Sequence, residues 1–453
     1  MATRALAVPA GDAGRDDPAL ARATLHRVTL RILPFVFVLY LVNFLDRTNV
    51  AMAALQMNHD LGFSATAYGL GVGIFFLSYT VFEVPANLML ARLGARRWIA
   101  AIMVAWGIVA SAMMLVRTPA EFYALRFALG VAEAGFFPGI VYYLGQWFPP
   151  RQRARAMSRF MLGIPISAAV GGPLGAALLG LHGLGLRGWQ WLFLLEGLPA
   201  ILLSSAVVFF LTDRPEEARW LSDDQRAWLV ARLRLEADAQ PHGALPPLRA
   251  LGNARVWMLS LPYLLIVMAG YTFTFWAPTL IRDGLHAGNL ATGLMFGGMA
   301  AISAVAMVAV SAASDRAEER VYFAAACIAI CGLGCMGAAV LPTPTLRIAA
   351  LVLVAIGQNA FLPIFWCLPS TFLRGSGAAA AIGLVNGIGN IGGFTGPYLV
   401  GFLRDATGTT TGAFIILGSL ALAGATILAL SRRSVLSPMT LRVEGTRHAT
   451  AAA

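Results

Sequence analysis

The sequence predicts an all-α membrane protein with twelve transmembrane helices in two six-helix halves, with both termini in the cytoplasm. Three observations support this prediction: the composition, the spacing of the apolar runs and the distribution of arginine. Of the 453 residues, 58% are hydrophobic and only 12% are charged, and the mean hydropathy is +0.73. Because a soluble domain carries about 25% charged residues, this composition excludes a soluble globular enzyme.

Twelve apolar runs are long enough to cross a hydrocarbon layer, which takes about 20 helical residues. They lie at 31–55, 67–91, 97–116, 121–146, 156–181, 189–211, 256–280, 290–313, 321–341, 346–370, 377–402 and 411–431. The runs divide the chain into a cytoplasmic N-terminal tail (1–30), a first half (31–211), a cytoplasmic linker (212–255), a second half (256–431) and a cytoplasmic tail (432–453). In the linker, a capping box at Ser222–Gln225 and an apolar stripe that includes Trp220 predict an amphipathic helix suited to the membrane surface.

All 33 basic residues are arginine. Of these, 26 flank the termini and the even-numbered connections, five flank the odd-numbered connections and two lie inside the runs. Because cytoplasmic loops carry the excess of positive charge, both termini are predicted to be cytoplasmic. Arginine spread between apolar runs indicates membrane orientation, whereas nucleic-acid binding needs a basic patch on a soluble surface.

The two halves repeat each other weakly. The glycine-rich stretch 171–175 has a counterpart at 392–397, and the basic loop 87–97 has a counterpart at 314–320. Both pairs are separated by about 225 residues, and half-repeats of this kind place a transport site between the halves at the membrane midplane.

Six charged residues fall inside the predicted spans: Asp46, Arg47, Glu83, Arg126, Glu133 and Glu196. A charge at the bilayer centre costs about 2.5–3.5 kcal/mol unless it is paired or hydrated, so each needs a reason. Glu83 and Glu196 lie close to prolines, where they can satisfy backbone donors that a bent helix leaves free.

The other four charges predict an anion site that protons create. Arg126, Gly130 and Glu133 share one face of the fourth helix, while the neighbours Asp46 and Arg47 point about 100° apart on the first. Protonation of both acids leaves two guanidinium groups, which suit bidentate binding of a carboxylate. The alternative is a pair of interhelical salt bridges that only hold the bundle together, although buried pairs contribute little stability.

Uncharged candidates for the cavity wall are polar or aromatic residues near the middle of the spans. They are Asn43, Tyr79, Gln358, Asn359, Trp366, Ser370, Asn386 and Asn390. Asn43 lies one helical turn before Arg47 and therefore shares its face. For Asn386 and Asn390 the alternative is an interhelical hydrogen bond beside the neighbouring glycines.

The sequence predicts neither a catalytic centre nor a cofactor or metal site. All six histidines lie outside the spans, so carboxylates must carry any coupling proton. The cysteines at 327, 331 and 335 form a helical stripe without histidine or acidic partners, which indicates packing instead of metal binding.

Several motifs resemble those of the major facilitator superfamily and, within it, the anion:cation symporter family. They are Leu45-Asp46-Arg47-Thr48-Asn49, Phe82–Asn87, Arg126–Gly139 and Trp147-Phe148-Pro149. The stretches Trp189–Pro199 and Asp213–Ala218 resemble its bacterial tartrate, phthalate and hydroxyphenylacetate permeases. The loop signature that resembles the superfamily's cytoplasmic gate comprises Asn87, Arg92, Arg96, Arg97, Asp315 and Arg316, with Asn87 in place of the usual acidic residue.

The resemblance implies a proton-coupled importer of a small organic anion, tartrate-like or an aromatic carboxylate, in the bacterial inner (cytoplasmic) membrane. Asp46 and Glu133 are expected to carry protons, with sodium coupling disfavoured because no oxygen cluster suggests a site. Arg47, Arg126 and Asn43 are expected to bind the substrate with Trp366 and Gln358, and the resemblance adds Tyr79 and Asn390. We expect a monomer that needs only the lipid bilayer, the anion and protons, without nucleic acid.

Three other functions remain open on the sequence. A sugar-acid symporter of the same family would need polar groups in the middle of the fifth helix, which instead reads Gly163-Ile164-Pro165-Ile166. A metabolite efflux antiporter would usually have an apolar cavity with a lone acid rather than paired arginines. A non-transporting sensor would need an output module, and no such module is recognisable in the short tails.

Overall fold

The computed structural model describes residues 17–238, 252, 254–369 and 376–436, and these are helical almost throughout. The first half contains α1 (Pro18–Leu61), α2 (Ala65–Leu93), α3 (Ala95–Ala112), α4 (Pro119–Glu133), α5 (Phe136–Trp147), α6 (Pro150–Met161), α7 (Gly163–Leu178) and α8 (Gly188–Phe210). The linker contains α9 (Asp223–Asp238). The second half contains α10 (Ala254–Leu285), α11 (Asn289–Ala317), α12 (Val321–Val340), α13 (Pro344–Phe365), α14 (Ser376–Thr407) and α15 (Thr411–Leu430), followed by the short α16 (Arg432–Leu436).

Each predicted span is occupied by helix. Eleven helical segments among the described residues are long and apolar enough to cross a membrane. Two of them are composite, since α4 runs on into α5 and α6 into α7. The 32-residue helix α14 covers the remaining predicted run at 377–402. The fold class predicted from the sequence is therefore confirmed.

Helix α1 begins at Pro18, well before the apolar run at 31–55. Asp17 caps it by accepting a hydrogen bond from the backbone N–H of Ala19 at 2.8 Å, and proline suits the first helical turn. Thr24 and Val28 in this extension are fully buried. Part of the predicted tail is thus helical and packed against the protein.

The linker helix α9 packs partly against the first half of the protein. The predicted capping box is confirmed, because Ser222 and Gln225 exchange side chain–backbone hydrogen bonds of 3.3 Å in both directions. Leu221 and Leu229 are buried, and the Trp220 ring stacks on Trp147 with centroids 5.3 Å apart. These contacts cover part of the apolar stripe, and the expected position of the helix along the membrane surface stays a prediction.

The two halves touch along an extracellular seam, which we define as the crossings of α2 with α14 and of α7 with α11. At Gly69 an added Cβ would lie 2.5 Å from the carbonyl oxygen of Pro397, and at Gly172 it would lie 2.6 Å from that of Gly293. Such backbone contact is possible only without side chains, as in other close helix crossings in membranes.

Hydrogen bonds between the halves reinforce the extracellular seam. The Asp405 carboxylate accepts from the backbone N–H groups of Ala65 at 3.1 Å and Thr66 at 2.7 Å, and so caps α2 from the other half. The Tyr68 hydroxyl donates to the carbonyl oxygen of Phe275 at 2.9 Å. Because these contacts join the ends assigned to the outside, the structure is closed toward the extracellular side.

Candidate functional site

A central cavity lies between the halves. Seven of its lining residues come from the first half (Tyr40, Phe44, Arg47, Tyr79, Phe137, Met161, Ile164) and ten from the second (Tyr263, Ile266, Val267, Tyr271, Gln358, Phe361, Leu362, Trp366, Asn386, Asn390). Eight of the seventeen are aromatic, and among these described residues Arg47 alone is charged. The cavity therefore combines one cation with a wall rich in aromatic rings.

Arg47 and Glu133 form a buried ion pair at the edge of the cavity. Arg47 donates to one carboxylate oxygen of Glu133, Oε2, through both Nε (3.1 Å) and Nη2 (2.9 Å). Asn43 donates to the same oxygen through Nδ2 at 3.0 Å. The second oxygen, Oε1, has no hydrogen-bond partner in the described part of the chain. The predicted site residues Asn43, Arg47 and Glu133 are therefore in contact, but all of these hydrogen bonds go to a single carboxylate oxygen of Glu133.

Phe75 contacts both arginines of the predicted anion site. Its ring centroid lies 5.2 Å from the guanidinium carbon of Arg47 and 4.8 Å from that of Arg126. Arg126 is 1% exposed and lies outside the lining residues of the cavity. It donates to the backbone carbonyls of Gly71 (3.3 Å) and Val72 (3.4 Å) on α2. An aromatic face stabilises a cation by about 0.5–2 kcal/mol, so Phe75 supports both charges.

The close approach of α2 and α4 brings this layer together. An added Cβ at Gly130 would lie 2.1 Å from the Ser78 hydroxyl and 2.3 Å from the Phe75 carbonyl oxygen. A residue without a side chain at position 130 therefore permits this close packing.

Asp46 faces away from the cavity. It is fully buried, and its Oδ2 accepts a hydrogen bond from the Trp106 indole on α3 at 2.9 Å. Its Oδ1 has no partner among the described residues. The expected turn of about 100° between Asp46 and Arg47 is thus realised, but Asp46 contacts α3 and makes no ion pair with Arg126.

The second half contributes amides and aromatic rings. Gln358, Asn390 and Trp366 all line the cavity, and Asn390 Nδ2 is buried without a hydrogen-bond partner in the described structure. Tyr263 packs against Trp366 with ring centroids 5.2 Å apart. A donor without a partner beside a cavity is available to a ligand.

The remaining amide candidates make interhelical contacts. Asn359 does not line the cavity and instead donates to the Ser303 hydroxyl at 3.0 Å, so its predicted place in the wall is wrong. Asn386 lines the cavity and donates to the Glu83 carboxylate at 3.3 and 3.4 Å. Glu83 therefore finds its partner in the other half and not in its own backbone. Ser370 lies outside the described residues.

The loop-motif residues lie at the cytoplasmic ends of the helices. Arg96 pairs with Asp213 at 3.5 Å, and Asp213 also accepts from the Arg96 backbone N–H at 2.8 Å. In the second half Asp315 pairs with Arg320 at 3.1 Å. The other members, Asn87, Arg92, Arg97 and Arg316, are half-buried or exposed on the same face.

Sequence reasoning missed three contributors: Phe75, Trp106 and Asp213. Each acts on a partner far away in the chain, and the local sequence does not reveal that partner. For Phe75 the available signal was its position one helical turn before the expected site residue Tyr79, since residues at i and i+4 share a face.

Comparisons with known proteins agree with this architecture. A family profile described as Major Facilitator Superfamily matches residues 36–397. A protein of Agrobacterium vitis assigned as a tartrate transporter is 44% identical over 416 residues, covering 91% of this chain and 96% of its own. A quinolone resistance transporter of Acinetobacter baumannii is 38% identical over 402 residues, covering 88% of this chain and 93% of its own.

A solved structure has the same fold. The bacterial homologue of the human lysosomal transporter Spinster superposes with a TM-score of 0.68 at 17% identity, covering 91% of this chain and 96% of its own. The profile and the full-length relatives also confirm the resemblance read from the motifs. The protein crosses the bacterial inner membrane several times and belongs to the major facilitator superfamily.

Proposed function

We propose that the protein is a secondary active transporter that imports a small organic carboxylate together with protons, by alternating access. The observation that carries this proposal is Arg47, the one charged side chain among the described residues lining the central cavity. It lies between the halves, where a transport site is expected in a protein built from half-repeats. Its guanidinium keeps its charge inside the membrane and can bind a carboxylate through two parallel hydrogen bonds.

Glu133 supplies the coupling to protons. Because Arg47 and Asn43 both donate to Oε2, the partnerless Oε1 is the oxygen that can take a proton. A proton there cancels the charge of Glu133, so Arg47 then presents its positive charge to the cavity and attracts an anion. Loss of that proton restores the ion pair and weakens anion binding. Proton binding at Glu133 is thereby linked to anion binding at Arg47.

Asp46 and Arg126 form the second acid–base set of the proposal, although neither lines the cavity. With both acids ionised, the four charges of Asp46, Arg47, Arg126 and Glu133 sum to zero. With both protonated, two guanidinium groups remain, with their carbons 5.2 and 4.8 Å from the Phe75 ring centroid. A buried charge without a partner costs several kcal/mol, so the fully protonated site favours entry of an anion.

The cavity wall opposite Arg47, which comes from the second half, favours a carboxylate with a planar, aromatic body. Aromatic pairs contribute about 0.5–1.5 kcal/mol beyond the area that they bury, and rings such as Tyr263, Tyr271 and Trp366 surround the space in front of Arg47. The lining residues from the fifth span, Met161 and Ile164, are apolar, which disfavours a polyhydroxylated sugar acid. The similarity to the Agrobacterium vitis protein supports a tartrate-like dicarboxylate as the second substrate class.

The test is uptake into proteoliposomes that contain the purified protein. A panel of benzoate-type carboxylates, tartrate and a sugar acid is offered with an inward proton gradient, with a sodium gradient and with neither. We expect accumulation of an aromatic carboxylate or tartrate only with the proton gradient, and none in Arg47→Ala proteoliposomes. Accumulation driven by sodium alone, or equal accumulation by Arg47→Ala, would contradict the proposal.

A drug efflux antiporter is the alternative, favoured by the 38% identity to the quinolone resistance transporter. Quinolone accumulation is measured in cells that express the wild type or Arg47→Ala. Lower accumulation with the wild type than with the variant supports export through the same cavity. Equal accumulation in both cell types leaves carboxylate import as the activity of the site.

A further inference from the structure

A second cavity, of about 300 Å³, lies at the cytoplasmic face between the start of α1 and α6. The lining residues are Arg22, Leu25, His26, Thr29 and Leu33 from α1, Gln152, Arg155, Ala156 and Arg159 from α6, and Phe148 just before α6. On each helix these residues follow the spacing i, i+3, i+4 and i+7, so each presents a single face to the cavity. The helical extension of α1 before residue 31 therefore builds half of this cavity.

This basic cavity has an excess of positive charge. It contains three arginines and a histidine, and none of the described residues that line it is acidic. Other arginines on the same face do have acidic partners, such as Arg96 with Asp213 and Arg432 with Glu319. Like charges facing each other across a cavity repel. An anion between them would remove that repulsion and provide charge-assisted hydrogen bonds.

The depth of the basic cavity indicates what kind of anion it fits. The predicted hydrocarbon spans of α1 and of the α6–α7 pair begin near residues 31 and 156, within the cavity lining. Arg22 and Arg155 lie on the aqueous side of that level, while Leu33 extends toward the membrane interior. A charged rim above an apolar floor matches an amphiphile whose anionic group lies at the membrane interface.

We propose that the basic cavity binds the phosphate of an anionic phospholipid of the cytoplasmic leaflet, with Arg155 and Arg159 as its principal ligands. These two residues lie one helical turn apart on α6, so both guanidinium groups reach the same phosphate from one side. Arg22 and His26 approach from α1 on the other side. The site is separate from the central cavity, and the inference does not depend on the transported substrate.

The test is native mass spectrometry of the full-length protein in detergent, titrated with phosphatidylglycerol. Wild type is compared with Arg155→Gln/Arg159→Gln and with Arg214→Gln/Arg219→Gln, which removes two exposed linker arginines from the same face. We expect the cavity variant to bind the lipid roughly 30-fold more weakly, since it loses two interfacial arginines that contribute about 1 kcal/mol each. The linker variant should bind like the wild type. An equal loss in both variants would mean general surface charge and would overturn the proposal.

Two further arms identify the source of the phosphate. Phosphatidylcholine, which has the same phosphate without net charge, should bind more weakly than phosphatidylglycerol. Glycerol phosphate without acyl chains should fail to displace the lipid at equal concentration. Displacement by glycerol phosphate would show a site for free phosphate esters and would overturn the assignment to a lipid. Arg47→Ala should retain phosphatidylglycerol binding, so a failure of this inference is distinguishable from a failure of the transport proposal.

Discussion

The two halves share one architecture and differ in where they hold charge. All six charged residues inside the predicted spans belong to the first half, and Arg47 is the one that reaches the central cavity. The second half faces it with rings and amides, including Tyr263, Trp366 and Gln358. The wall from the first half can therefore bind charged groups and protons. The wall from the second half determines which molecular shape fits the cavity.

At the cytoplasmic ends the two halves are alike, because each has a carboxylate at a helix N-terminus that pairs with an arginine. They differ in which of the two partners comes from a distant part of the chain. At the start of α3 the base is Arg96, and the acid that caps the helix, Asp213, comes from the chain after α8. At the start of α12 the capping acid Glu319 is local, and its base Arg432 follows α15. In both halves a carboxylate lies at a helix N-terminus, where the helix dipole favours negative charge.

The largest effect is expected at the arginines of the first half. Arg47→Lys should reduce uptake by roughly tenfold to a hundredfold, because an ammonium keeps the charge but cannot reproduce the planar fork and loses one charge-assisted hydrogen bond of about 1.5–3 kcal/mol. Uptake into proteoliposomes measures this, with Arg187→Lys at the extracellular Asp60 pair as the matched control. Normal transport by Arg47→Lys would show that the anion is held elsewhere. Arg126→Ala should also abolish uptake.

The coupling role of the first half is tested at its two acids. Glu133→Gln imitates the protonated acid but releases no proton, so gradient-driven accumulation should vanish while exchange of labelled for unlabelled substrate persists. Asp46→Asn should behave in the same way if Asp46 also binds a proton. A Glu133→Gln protein that still concentrates substrate would move the coupling site to another acid, with Glu83 the next to test.

A smaller effect is expected on the aromatic wall. Trp366→Leu should raise the KM for an aromatic carboxylate about fivefold through lost ring contacts, with little change for tartrate. Uptake kinetics with the two substrates separate this role from general damage. Trp257→Leu, an exposed position on α10, is the control. An equal rise in KM for both substrates would contradict the proposal that the aromatic side chains of the second half select the substrate.

The smallest effect concerns the cytoplasmic caps. Partial burial of Glu319 opposes ionisation, but hydrogen bonds from Arg432 and from the backbone at the start of α12 lower its pKa below the ordinary glutamate range. The stabilisation is therefore present above that ordinary range and is lost as the pH falls through the lowered pKa. Glu319→Gln should lower the melting temperature by a few degrees near neutral pH, in line with about 1 kcal/mol for a helix cap.

The matched control for the cap is its neighbour Glu318, which is exposed. Glu318→Gln should leave the melting temperature unchanged, and the difference between the two variants should shrink in acid. A difference that is independent of pH would show that Glu319 acts by packing alone.

The sequence predicted the fold and the contents of the site better than it predicted the contacts. Hydrophobic runs and arginine counts determine spans and orientation, and the i, i+4 spacing placed Asn43 beside Arg47 on the face that meets Glu133. The spacing could not tell which neighbour Asp46 would meet, because that depends on how α1 is rotated against α3. Asp46 found Trp106, an indole 60 positions away in the chain.

Aromatic and capping partners were missed for the same reason. Phe75 reads as an ordinary apolar residue until two guanidinium groups are placed on its ring. Asp213 reads as a loop acid until the start of α3 is brought next to it. Both roles come from tertiary packing, which local periodicity does not encode.

The glycine crossings of the extracellular seam have a consequence for evolution. Since Gly69 and Gly172 let backbone touch backbone, one methyl group at either position would act as a wedge on the outer side. In the proposed alternating-access cycle, such a change would alter the energy difference between the outward-open and inward-open forms and leave the cavity residues untouched. The direction in which a resting carrier faces and the molecule that it selects can therefore drift independently between relatives, through exchanges as small as glycine for alanine.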